Sequence, residues 1–199
     1  MKYSTRQLVL LAIFGALWGL VEISLGSVFH VLNLPFSGTV LAGVGLGLAL
    51  IGRLFVPSRG STLFIGVIAM ILKLFSLGGI VIGPMIGILA EALIAEVVLS
   101  SYSRPSLPGL CLAGSLGVLW TIVQPFFTGL VLFGRQPFVV WLDLIDEGSR
   151  VLGLSAKAAL WILLILIAIH AGIGLAAGWL AWKTGERLKT RFGNYETYL

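Results

Sequence analysis

Charge is scarce in this chain: only 11% of its 199 residues are Asp, Glu, Lys or Arg, and 58% are hydrophobic. Soluble globular domains carry about a quarter charged residues, so that class is excluded, and a mean hydropathy of +1.07 marks an integral membrane protein. No segment is polar enough to form a separate soluble domain. The single cysteine, Cys111, lies in an apolar stretch and supports neither a disulfide framework nor a thiolate metal site. There is no G-x-x-x-x-G-K-[ST] phosphate loop, so the chain does not hydrolyse ATP by that mechanism. H-E-x-x-H, G-x-S-x-G, Cys/His metal spacing and paired acids at catalytic spacing are all missing, which argues against an enzyme. His30 and His170 are too isolated for a metal site, and no cofactor is expected. The net charge of +5 and pI near 9.7 do not point to nucleic acid, because the basic residues flank apolar runs instead of forming a patch interleaved with exposed aromatics.

What the chain does contain is apolar runs rich in glycine, 26 in all, as suits closely packed transmembrane helices. Hydropathy predicts a single all-α domain, a six-transmembrane-helix bundle with spans at 7–32, 37–56, 61–77, 79–99, 109–133 and 157–182. The third and fourth spans divide around Ser76-Leu77-Gly78-Gly79. Pro35, Pro57, Pro105 and Pro108 punctuate the connections. The start, MKYSTRQ, has the charge of a signal peptide, but the apolar run after it is too long and lacks a small-residue cleavage site, so a retained first span is expected.

Lys2, Arg6, Arg53, Arg59, Arg104, Lys183, Arg187, Lys189 and Arg191 fall on one side of these spans, while connections 33–36 and 76–79 carry no charge. The positive-inside rule then predicts both termini in the cytoplasm of a multi-pass plasma-membrane protein. The outer loop 134–156 mixes charges of both signs and has Phe138, Trp141, Leu142, Ile145 and Leu152 in near-helical spacing. Two readings fit: a short amphipathic helix over the mouth of the bundle, or an interfacial helix anchored by Trp141.

The first run, Gln7 to His30, carries one carboxylate, Glu22. At about 100° per residue, Ala12, Gly15, Gly19, Glu22, Gly26 and His30 share one small-residue face. The fourth span repeats this layout with Gly83, Gly87 and Glu91, and Glu96 lies roughly 140° away from Glu91, too far round to share its face. Glu96 is expected to meet a neighbouring helix or subunit, or to snorkel. Lys73, Gln124 and His170 add one polar residue each from spans three, five and six at broadly similar depth, the pattern of a substrate site inside a bundle. The alternative is structural: Lys73 paired with Glu91 or Glu22, and Gln124 and His170 as bundle hydrogen bonds. Pro125, after Gln124, frees a helix carbonyl and favours a cavity.

Glu91 and Glu22 favour a cationic or hydrogen-bond-donating ligand, and Trp120, Trp141 and Trp161 favour a flat ring by stacking. Trp18 adds aromatic surface. For any one tryptophan the packing or lipid-interface role competes with this. Together these residues point to a small heteroaromatic, vitamin-like compound, with a thiamine or pyrimidine precursor foremost.

With length, topology, Gly83-Pro84 opening the fourth helix and the missing ATPase taken together, the chain resembles the substrate-binding S component of energy-coupling factor (ECF) transporters. Ala12-Ile13-Phe14-Gly15-Ala16 is similar to the A-x-x-x-A motif of that family's first helix. The resemblance implies that Ala12 and Ala16 dock on a transmembrane coupling protein, that two separate ATPase subunits supply energy, and that the pocket lies in the outer half. Glu91, Gln124, Trp141, Trp161 and His170 fit the pocket positions it implies. The start, MKYS, does not resemble the metal-binding N-terminus of the cobalt and nickel members. Rival classes are a stand-alone carrier, for which no inverted repeat is visible, and a membrane-embedded enzyme.

Overall fold

The structure, a computed structural model, describes residues 3–32, 34–76 and 82–192. Among these residues seven α-helices run in the order α1 (Thr5–Leu32), α2 (Ser37–Phe55), α3 (Ser61–Lys73), α4 (Ile82–Ser100), α5 (Leu107–Phe133), α6 (Pro137–Leu152) and α7 (Ala159–Phe192), with a 3₁₀ turn at Ala156–Ala158. No strand occurs among the described residues. Five of the helices, α1, α2, α4, α5 and α7, are long and apolar enough to cross a membrane.

The third expected span, 61–77, is shorter than the sequence suggests. Its helix has 13 residues and ends at Lys73, where turn bonds from Leu74 N to Ile71 O and from Phe75 N to Leu72 O close it off. At about 1.5 Å per residue it is roughly 20 Å long, short of a hydrocarbon core of about 30 Å. The expected divide after Ser76, at Leu77-Gly78-Gly79, lies outside the described residues. At the other extreme, α7 continues ten residues past the expected end at 182, to Phe192. The stretch 134–156, expected as a loop with a short helix, is largely α6, which starts with Pro137 in its first turn and stops at Gly153 with φ 66°.

Small residues set the helix spacing. The small face of α1 lies on α3, with Gly15 against Ile68 and Gly19 against Leu72. Between α5 and α7 the backbones themselves touch: a Cβ on Gly114 would strike the carbonyl of Gly174, and Ser115 Oγ donates to Ala171 O at 3.0 Å. Leu11, Trp18, Leu46, Leu50, Ile65, Leu99 and Leu110 form the main core. A second cluster, Ile122, Ile145, Ile162 and Leu166, binds α6 to α5 and α7, with Trp141 packed on it. α6 therefore lies against the bundle, its Gly148 seated on Ile162.

Candidate functional site

At the end of the bundle opposite the start of α1 and the end of α7, a cavity of about 720 Å³ opens between the last third of α1, the start of α2, the end of α3, the first half of α4 and the second half of α5. Glu22, Lys73, Glu91 and Gln124 all line it, with Pro125, Gly87 and Phe29. Four polar residues from four different helices, widely separated in sequence, thus meet in one place.

Lys73 is the last residue of α3, and its buried Nζ donates to Glu22 O at 2.9 Å and to Glu22 Oε2 at 3.3 Å. Of the two ion pairs open to Lys73, the structure has the one with Glu22. Two acceptors on one residue of α1 hold the ammonium there, and Gly26, one turn on, leaves room for it: a Cβ on Gly26 would lie 3.3 Å from Nζ. Glu91 has neither ion pair nor hydrogen bond among the described residues, is only 4% exposed, and keeps a buried Oε2 without a partner.

Gln124 Nε2 donates to Gly83 O at 2.9 Å, which leaves Oε1 as an open acceptor. Oε1 rests on Gly87, where a Cβ would lie 2.5 Å away, so the glycine gives the amide its place. Pro125 has no N–H to offer the carbonyl of Thr121, which also stands in the wall.

His170 stands elsewhere. It lines a second cavity of about 760 Å³, beside the first and sharing Phe29, Ser37, Gly38 and Thr121 with it. His170 Nδ1 lies 2.7 Å from Leu166 O and Nε2 lies 2.8 Å from Thr39 Oγ1. A carbonyl only accepts, so Nδ1 carries the proton and Nε2 accepts from the Thr39 hydroxyl. Both ring nitrogens are therefore used, Nδ1 within α7 and Nε2 in tying α7 to α2. Phe36 packs edge-on to this ring, centroids 5.9 Å apart, and holds a left-handed φ of 58° at the start of α2. Glu147, Arg150 and Val151 of α6 line the second cavity, whereas no α6 residue is in the wall of the first among the described residues.

The expected tryptophans do not reach the first cavity. Trp141 is half-buried in the second apolar cluster, and Trp161 is 66% exposed on α7. Trp120 packs on Phe127 with centroids 6.0 Å apart, and Trp18 is fully buried in the main core. Phe29 is the aromatic residue in the wall. The side chain of His30 lies outside the described residues.

Sequence reasoning placed Arg53 among the loop charges and left Glu96 without a named partner; the two meet at the terminal end of the bundle. Arg53 Nη1 lies 3.2 Å from Glu96 Oε1, both side chains buried. Gly60 N and Thr62 N, at the start of α3, donate to Glu96 at 2.7 and 3.0 Å, and Ser100 Oγ donates as well. The signal was Arg53 inside the apolar run, four residues before Pro57. Tyr3, just outside the first span, donates its hydroxyl to Arg59 O at 2.8 Å; burial, then the nearby Glu96 charge, raises its pKa and keeps it a donor.

No family model, curated protein or solved structure matches this chain.

Proposed function

We propose that the chain is the substrate-binding subunit of an ECF-type uptake transporter, holding a small nutrient in the Glu91 cavity and relying on a coupling protein and two ATPase subunits for energy. The observation that carries this is the cavity itself. A volume of about 720 Å³ suits a small molecule, and its wall holds a buried carboxyl whose Oε2 has no partner among the described residues. A group of that kind is costly to keep in a membrane bundle and reads as functional.

In this reading α3 completes a six-span bundle with both termini cytoplasmic. Arg53, Arg59 and Arg104 lie at the terminal end with Tyr3, in keeping with the positive-inside rule, and the cavity opens outward. α6 lies beside it, against the second cavity. Ala12 is exposed and Ala16 half-buried on α1, so the A-x-x-x-A face is accessible for docking on the cytoplasmic side. A heteroaromatic, thiamine- or pyrimidine-like ligand would meet Phe29 in place of the tryptophans.

Affinity purification from the native membrane tests the reading. An S component brings down a membrane coupling protein and ATPases, and reconstituted alone it does not transport. A chain that purifies alone and transports by itself is a carrier, and the proposal then fails. A reporter fusion placing either terminus outside would overturn the topology.

A further inference from the structure

The charges on the wall of the first cavity do not cancel. Glu22 and Lys73 neutralise each other at 3.3 Å, and the second bond of Lys73, to Glu22 O, holds its ammonium on α1. Lys73 is the one cation in that wall among the described residues. Glu91 thus faces the same space with no counter-charge. Gln124 has committed one amide proton to Gly83 O, and its Oε1 takes no hydrogen bond among the described residues, so that oxygen is an acceptor on offer. Beside the hydroxyls of Ser37 and Ser76, the wall thus offers a carboxyl and an amide oxygen that can both take a donor. A buried charge demands an opposite charge more strongly than surface groups do. An anionic ligand would meet Glu91 with like charge, and a dication would find its second acid already taken.

We propose that this cavity takes a ligand bearing a single positive charge, bound by Glu91 with Gln124 Oε1 as the second acceptor, and that Lys73 sets that charge by neutralising Glu22. The inference rests on the cavity being the substrate site and adds the ligand's charge class to it. Lys73 is then a specificity-determining residue: it occupies, from within the protein, the place a second ligand cation would fill. The Glu22–Lys73 pair and the lone Glu91 divide one acidic site into a filled half and an open half.

Three probes that share a ring and differ in charge test this: benzyl alcohol, benzylammonium and para-xylylenediammonium, titrated calorimetrically against the full chain in lipid nanodiscs. The unmodified protein is expected to bind benzylammonium at least tenfold more tightly than either of the others. Glu91→Gln should lose that preference, and Lys73→Met should turn it at least tenfold towards the dication. Because Lys73→Met leaves Glu22 buried alone and risks unfolding, the double variant Glu22→Gln/Lys73→Met accompanies it and should keep the preference for one charge. Equal binding of the alcohol and the monocation by the unmodified protein overturns the proposal. So does a folded Lys73→Met that still prefers one charge, a double variant that has lost the preference, or no binding of any probe. Copurification of coupling and ATPase subunits is scored separately, so the transport reading stands or falls without reference to these titrations.

Discussion

Glu91 and Glu96 lie on the same helix, yet Glu96 takes hydrogen bonds from Arg53, Gly60, Thr62 and Ser100 while Glu91 takes none among the described residues. Five residues turn the helix by roughly 140°, which sends one carboxylate to the terminal-end clasp and the other to the cavity. One acid is structural and the other is available.

Removing the available acid should therefore leave the fold intact. Glu91→Gln or Glu91→Leu loses no hydrogen bond among the described residues, and the ligand-free protein should melt at the same temperature or higher. A drop of several degrees in a thermal unfolding scan in detergent would show that Glu91 has a structural partner after all.

Glu96→Ala should do the opposite. It strands the buried Arg53 guanidinium and frees two N–H groups at the start of α3, and breaking a buried pair in this way costs about 3–5 kcal/mol. The double variant Arg53→Met/Glu96→Met is expected to be more stable than Glu96→Ala in the same scan. If Glu96→Ala melts like the unmodified protein, the clasp contributes nothing.

Thr39→Val removes the donor to His170 Nε2 and leaves a buried ring nitrogen unpaired, for a loss of about 1–3 kcal/mol. Pairing it with His170→Phe removes both polar groups, and the two changes together should cost less than their sum. Additive losses in this double-mutant cycle would mean that the hydrogen bond carries no coupling.

Gly87→Ala places a methyl against Gln124 Oε1, so the amide must swing and give up its bond to Gly83 O. Ligand affinity should fall at least tenfold by calorimetry with little change in melting temperature. Unaltered affinity would remove Gln124 from the site.

Replacing Ala12 and Ala16 by Trp alters the accessible face of α1, at the far end from the cavity. If the chain is the proposed transporter subunit, copurification of a coupling protein should be lost while ligand binding to the isolated chain persists. Unchanged assembly would count against the docking role, and a melting scan of the variant separates lost docking from overpacking.

Much of this architecture is written in local pattern. Apolar run length sets the membrane class and five of the long helices, since a backbone in lipid must bond within its own helix. The spacing of Gly15, Gly19 and Glu22 shows a small face with an acid on it, and the step from Glu91 to Glu96 shows that the two cannot point the same way. Periodicity is silent, however, on which neighbour each face meets. Lys73 had two acids open to it, and the choice of Glu22 follows from α3 packing on the small face of α1 and ending where the Glu22 carbonyl is in reach. Gln124 joins Glu91 because Gly87 leaves space beneath its amide. His170 is drawn away to Thr39, and Trp141 to the apolar cluster under α6. Trp161 turns outward, because the tight approach of α7 to α5 at Gly114 and Gly174 sets which way α7 faces. These partners are far apart along the chain, and only the packing of helix on helix brings them together or keeps them apart.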